Sequence, residues 1–175
     1  MILSLFRKRA PSVPVFGVYN AIVAQSRQPR FYADWSVPDT VTGRFDMISL
    51  HMALLFRRLR SDRAADKDFS QAVFDLFFKD MDRSLREMGA GDLAVPKKIQ
   101  KMGNIFFGLL ASLNAAMDGK DLAGLEAVLT RNVFDGVTTP TIRAFAEYVF
   151  AEDAALAVQS TTSILGGALA FEAAA

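Results

Sequence analysis

The chain has 175 residues, with 20 Lys and Arg against 19 Asp and Glu, no Cys, one His, 15 Phe and 7 Met. That is one domain's worth of chain, and 51% hydrophobic with 22% charged residues is globular composition, which excludes wholesale disorder. The lack of Cys excludes disulfides, thiolate nucleophiles and Cys-ligated zinc, and a lone His excludes any site that needs two imidazoles.

The N-terminus, Met1-Ile-Leu-Ser-Leu-Phe6 followed by Arg7-Lys8-Arg9, reverses the secretory order, in which positive charge comes first. Residues 1–13 are therefore set apart as an apolar and basic segment that either frays or rests weakly on a membrane surface. Pro14 opens a first helix that runs to about Gln25, and Pro29 closes that region. Arg30 to Asp39 reads as an ordered loop, because Phe31, Tyr32 and Trp35 need something to pack on. A second helix starts between Asp39 and Gly43 and runs to about Arg60. Phe45, Ile48, Met52, Leu55 and Leu59 form its apolar stripe. Met47, Leu50, Leu54 and Phe56 widen the stripe so far that this helix is expected at the centre of the domain.

The third helix, from about Asp66 to Met88, turns Phe69, Val73, Leu76, Phe77, Met81, Leu85 and Met88 inward, and Gly89-Ala90-Gly91 stops it. On its outer face Asp75 with Lys79, and Asp82 with Arg86, have the spacing of ion pairs. Pro96 begins a fourth helix that ends near Met117, with Ile99, Met102, Phe106, Leu109, Leu110 and Leu113 inward. Asp121 caps a short fifth helix carrying Leu122, Leu125, Val128 and Leu129, stopped by Gly136. Thr139-Pro140 opens a sixth, with Ile142, Phe145, Val149 and Phe150 inward, fading near Gln159. Residues 159–175 are expected to be a weakly ordered tail. Neither strand alternation nor an internal repeat is present, so the expected fold is all-α, a single compact domain of five to seven helices over residues 14–158. The longest uncharged stretches, Ala10–Ser26 and Ala154–Phe171, are broken by proline, glycine, amides and hydroxyls, and neither reads as a membrane span.

No phosphate-cradling glycine loop, dinucleotide fingerprint, zinc-protease motif, nucleophile elbow or calcium loop occurs. His51, mid-helix between Leu50 and Met52, reads as a hydrogen-bonded structural histidine. Glu152-Asp153 reads as a solvated edge, because helix neighbours point apart. The chain is expected to be no enzyme and to carry no cofactor or metal. Its charge is uneven: residues 1–60 hold 9 basic and 3 acidic side chains, and residues 118–175 hold 3 and 8. Such polarity can orient a molecule against an anionic surface.

Arg57, Arg58 and Arg60 stand at the end of their helix, where the macrodipole favours cations. Lys97, Lys98 and Lys101 crowd the start of theirs, where each cation costs about 0.3–1 kcal/mol at low salt. Locally costly charge points to a binding role unless acids such as Asp92 compensate it. The consecutive pairs Phe77-Phe78 and Phe106-Phe107 diverge on a helix, so one of each is expected to look away from the core. Together these residues point to an apolar groove, rimmed by the lysines, that receives a hydrophobic helix.

The stretch Tyr32-Ala-Asp-Trp-Ser-Val-Pro-Asp-Thr-Val-Thr-Gly-Arg-Phe45, its continuation Ile48-Ser-Leu-His-Met-Ala-Leu-Leu-Phe-Arg-Arg-Leu59, then Phe77-Phe-Lys-Asp-Met81 and Val95-Pro-Lys-Lys-Ile-Gln-Lys-Met-Gly103 with Phe107-Gly108, resembles the ubiquinol-cytochrome c chaperone family. The likeness spans about residues 15–150. It implies a bacterial, non-enzymatic assembly chaperone that binds newly made cytochrome b for biogenesis of the cytochrome bc1 complex. The partners it implies are cytochrome b, a small partner subunit, and a ribosome or inner-membrane surface. Carried over to matching positions, the client-binding residues are Phe45, Leu50, Leu55 and Leu59, then Phe77, Phe78 and Met81, then Phe106 and Phe107. Lys97, Lys98 and Lys101 form the implied basic rim, touching client loops or the ribosome. The expected location is cytoplasmic, peripheral on the inner membrane, which the lack of a long presequence suits. The competing reading, from another class, is a small-molecule carrier holding a quinone, lipid or haem in a Phe-lined pocket.

Overall fold

The computed structural model of the protein describes residues 11–172, so the expectations for Met1–Phe6 and Arg7-Lys8-Arg9 fall outside the described residues. Among the described residues eight helical segments follow one another: α1 (Val13–Ser26), α2 (Pro29–Ala33), α3 (Val41–Arg58), α4 (Ala64–Glu87), α5 (Val95–Asp118), α6 (Leu122–Val133), α7 (Ile142–Ala157) and α8 (Thr161–Leu165). The all-α expectation holds. Six longer helices stand where periodicity and punctuation put them, and two single-turn helices, α2 and α8, are added.

Local chemistry sets the boundaries. Pro14 and Pro96 sit in the first turns of α1 and α5, where a missing N–H is no loss. Thr40 caps α3, its Oγ1 accepting from the Gly43 N–H at 3.0 Å, and Asp121 caps α6 through the Gly124 N–H at 2.9 Å. Gly89, at φ +86°, ends α4, and the Ala90 N–H reaches back to the Leu85 carbonyl at 3.0 Å. Replacing Thr40 with alanine is expected to lower unfolding free energy by about 1 kcal/mol in urea melts, with Thr40→Ser restoring most of it. An unchanged midpoint would show that the cap does not hold α3.

Helix α3 is the hub. Every side chain from Met47 to Leu55 is buried. α1, α5, α6 and α7 lie directly against it, while α4 spans α1 and α5, and α6 spans α5 and α7. A helix apolar around its circumference can bury all of it only by taking that central place. The end of α3 is fastened by its arginines. Arg57 donates to Asp118 at 2.6 Å and to Asp153 at 3.0 Å, tying α3 to α5 and α7. Arg58 donates to the Leu156 and Gln159 carbonyls at 2.8 and 2.5 Å, closing the end of α7. Hydrogen bonds from Arg60 and Arg57 hold the Asp118 carboxyl down at about 2. These three arginines are structural, as their position on the helix suggested.

Several expectations change. Pro29 opens α2 rather than a loop, because Phe31 and Trp35 pack on each other at 5.6 Å and each on Tyr148 of α7 at 5.3 Å. The C-terminal stretch read as weakly ordered instead forms α8 and buries Ile164 and Leu169. Glu152 is fully buried and Asp153 is ion-paired, so neither belongs to a solvated edge. Asp75 accepts from Gln71 at 2.8 Å rather than pairing with Lys79, while Asp82 and Arg86 do pair, at 2.7 Å. Phe77 and Phe78 are both buried, since α4 is enclosed on two sides. Phe77 stacks on Phe45 at 5.4 Å towards α3, and Phe78 meets Phe74 at 4.5 Å on the side of α5.

Candidate functional site

The most unusual surface lies along α4 and α5. Phe74 of α4 contacts Phe78 of its own helix and reaches across to Phe106 at 5.6 Å and Phe107 at 5.3 Å on α5. This aromatic layer occupies the interval between the two helices and reaches the surface as a patch at Phe107. Phe106 is fully buried, whereas Phe107 lies stacked on Phe74 and remains 55% exposed. On the same helix pair Ile105 is 40% exposed, two residues from Phe107 and so on the other side of α5, while Met88 at 54% and Leu93 at 91% belong to the α4–α5 connection.

The predicted client-binding residues divide sharply. Phe45, Leu50, Leu55, Leu59, Phe77, Phe78 and Phe106 are buried in the core, where they pack the protein itself and offer no surface in this conformation. Met81 is half-buried. Of the nine, Phe107 alone is largely exposed. Met88, expected inward, faces solvent because α4 ends at that residue.

Lys97, Lys98 and Lys101 are all exposed on the first turns of α5, and none forms an ion pair or side-chain hydrogen bond among the described residues. Asp92, the acid placed to compensate them, is instead engaged by Arg86, and the first turn of α5 holds no acidic residue. The macrodipole penalty on the three cations therefore stands without local relief. Ile105 lies one turn beyond Lys101 and two turns beyond Lys98 on the same strip of helix, so apolar and basic surface are contiguous. That i, i+3, i+7 spacing was visible in the sequence and identifies Ile105. Leu93 and Met88 carried no comparable signal.

Residues 33–171 match the family described as ubiquinol-cytochrome c chaperone. The chain belongs to that family. It is also similar, at 38% identity and a TM-score of 0.86, to the crystal structure of the Cbp3 homolog from Brucella abortus, across 99% of this chain and 98% of that one. No curated protein matches.

The rest of this chaperone-family fold offers little else. His51 is fully buried: its Nδ1–H donates to the Met47 carbonyl at 2.8 Å and its Nε2 accepts from the Tyr148 hydroxyl at 2.8 Å. Burial holds its imidazole neutral, down to about 4. With both nitrogens taken, it is the structural histidine expected. Two depressions among the described residues, of about 260 and 460 Å³, are lined by Arg57, Arg58, Arg60, Asp153 and Ala157, and by Arg27, Pro29, Tyr32, Ala33, Asp39 and Arg44. Neither is the Phe-lined pocket that a quinone, lipid or haem carrier needs. Among the described residues no cluster of His, Asp and Glu has metal-ligand geometry, and no helix is long and apolar enough to cross a membrane.

Proposed function

We propose that the protein is a non-enzymatic assembly chaperone that binds newly made cytochrome b during biogenesis of the cytochrome bc1 complex. The client meets the α4–α5 patch, with Phe107, Ile105 and Leu93 as apolar contacts and Lys97, Lys98 and Lys101 as the rim. The observation that carries this reading is Phe107, held half out of the protein by its stack on Phe74, on the same helix as three exposed lysines that pair with none of the described residues. Binding buries client apolar surface, worth roughly 25 cal/mol per Å² removed from water. The lysines meet anionic lipid at the cytoplasmic face of the inner membrane, or acidic client loops, and steer the encounter.

Tagged protein recovered from its native cells is expected to bring cytochrome b with it. Phe107→Asp combined with Ile105→Asp is expected to lower that recovery at least tenfold, about 1.4 kcal/mol or more, while the melting curve stays cooperative. Replacing Lys97, Lys98 and Lys101 with glutamine should weaken capture less and flatten its salt dependence. If deletion of the gene leaves cytochrome b abundance and bc1 assembly normal, the reading fails.

A further inference from the structure

After α8 the chain from Ala168 to Glu172 is neither helix nor turn, and its burial alternates with the period of an extended segment: Leu169 and Phe171 turn inward, while Ala168, Ala170 and Glu172 face out. The segment has no strand beside it. Side chains hold its backbone instead. Gln159 brackets Ala170, accepting from its N–H at 3.1 Å and donating to its carbonyl at 2.6 Å. Two residues on, Glu152 Oε2 accepts from the Glu172 N–H at 3.3 Å and Gln25 Nε2 donates to the Glu172 carbonyl at 2.7 Å. Between these anchored residues the Phe171 ring stands edge-on to His51 at 5.3 Å, over a floor that includes Tyr148.

Main-chain bonds at alternate residues and an apolar seat for the residue between them are the elements by which a groove reads an extended peptide. All four bonds go to atoms that any non-proline residue supplies, so the groove selects an extended backbone and an apolar side chain, not a particular sequence. The segment joins α8 through Gly166-Gly167, with Gly167 at φ +99°. It crosses α1 where Gly17 and Gly167 touch: a Cβ added to Gly17 would lie 2.8 Å from the Gly167 carbonyl oxygen. A glycine hinge and a bare backbone crossing let the segment lift off without disturbing any helix.

We propose that Gln25, Glu152, Gln159 and the aromatic floor around His51 form a peptide-binding groove, filled here by residues 168–172 of the chain itself, whose exchange occupant is an extended apolar segment of another polypeptide. The groove draws on Gln25 of α1, Glu152 of α7 and Gln159 just beyond it, none of them a residue of the α4–α5 patch, and does not depend on the identity of the client proposed there.

The test uses the full chain and a fluorescein-labelled, end-blocked peptide, Gly-Gly-Ala-Leu-Ala-Phe-Glu, which copies residues 166–172. Gly17→Ala favours α1 as a helix yet crowds the segment above it, and Phe171→Ala empties the apolar seat. Each is expected to raise the peptide's affinity at least about tenfold over the unsubstituted protein by releasing the competing segment, read by anisotropy. Trp35, the one tryptophan, sits 5.3 Å from Tyr148 and should change its emission on binding. Adding Gln25→Ala and Gln159→Ala should abolish the gain, and a peptide with Asp in place of Phe should not bind. In the unsubstituted protein, excess peptide should speed hydrogen exchange at the Ala170 and Glu172 amides, a readout that needs no variant. Folded variants that bind no peptide, binding indifferent to Gln25 and Gln159, or unchanged exchange at those amides would each overturn the proposal. So would a gain explained by two copies swapping their C-terminal segments, seen as dimer on gel filtration.

Discussion

Phe106→Ala should destabilise the protein by about 3–5 kcal/mol, while Phe107→Ala, one residue away, should cost no more than about 1 kcal/mol. The Phe106 ring is fully enclosed, edge-on to Phe56 of α3 at 5.5 Å and tilted against Phe74 of α4 at 5.6 Å. Its removal opens a cavity at the junction of three helices that none can move to close. Phe107 gives up only its stack on Phe74 and an edge contact with Phe106. Urea melts read the first effect and client capture the second, so the two neighbours should separate: Phe106→Ala weakens the fold, and Phe107→Ala weakens capture in a protein that still melts normally. Equal loss of stability in both would mean that Phe107 is core and the patch is not a docking surface.

Glu152→Gln is expected to stabilise the protein by roughly 3 kcal/mol at pH 8 and by almost nothing at pH 4.5. Glu152 is fully buried without a cation beside it, and desolvation pushes its carboxyl up to about 7. In the unfolded chain that group ionises near 4.5, so the folded state retains a proton that the unfolded state has lost. Its contribution is therefore complete at low pH and declines as pH rises through 7. Glutamine keeps an oxygen for the Glu172 N–H and removes the ionisation. His51 acts in the opposite direction. Held down at about 4, it refuses a proton that the unfolded chain takes up below 6.5, so stability from this group falls as pH drops through that window. Between about 4.5 and 6.5 the two slopes oppose each other. The Gln variant should therefore lose stability on acidification more steeply than the parent. A gain that is the same at both pH values would contradict this account.

The helices were legible in the sequence because their signals are local. The apolar period of α3 and α5, the prolines in the first turns of α1 and α5, and Gly89 after α4 each act within a turn or two of where they stand. What could not be read was which directions around each helix are covered. Phe77 and Phe78 point apart, as helical geometry requires, yet both are buried because α4 has neighbours on two sides. Glu152 and Asp153 likewise diverge, one into the core and one onto Arg57, which mere adjacency of two acids conceals. The lysines were legible for an electrostatic reason, since no nearby acid had to be found for their cost to be recognised. Phe107 could be narrowed to a pair but not chosen from it, because the choice depends on how Phe74 reaches across from another helix.

The placement of α3 also governs how the protein comes into being. Its apolar circumference is covered on one side by α1, which precedes it, and on the others by α5, α6 and α7, which follow. A nascent chain that has emerged only as far as α3 therefore displays this helix largely bare until about a hundred further residues have been made. Contacts of such long sequence separation slow folding and bind the whole domain into one cooperative unit, so no shorter N-terminal fragment should fold alone. A protein proposed to shelter the unassembled helices of another thus passes through the same predicament during its own synthesis.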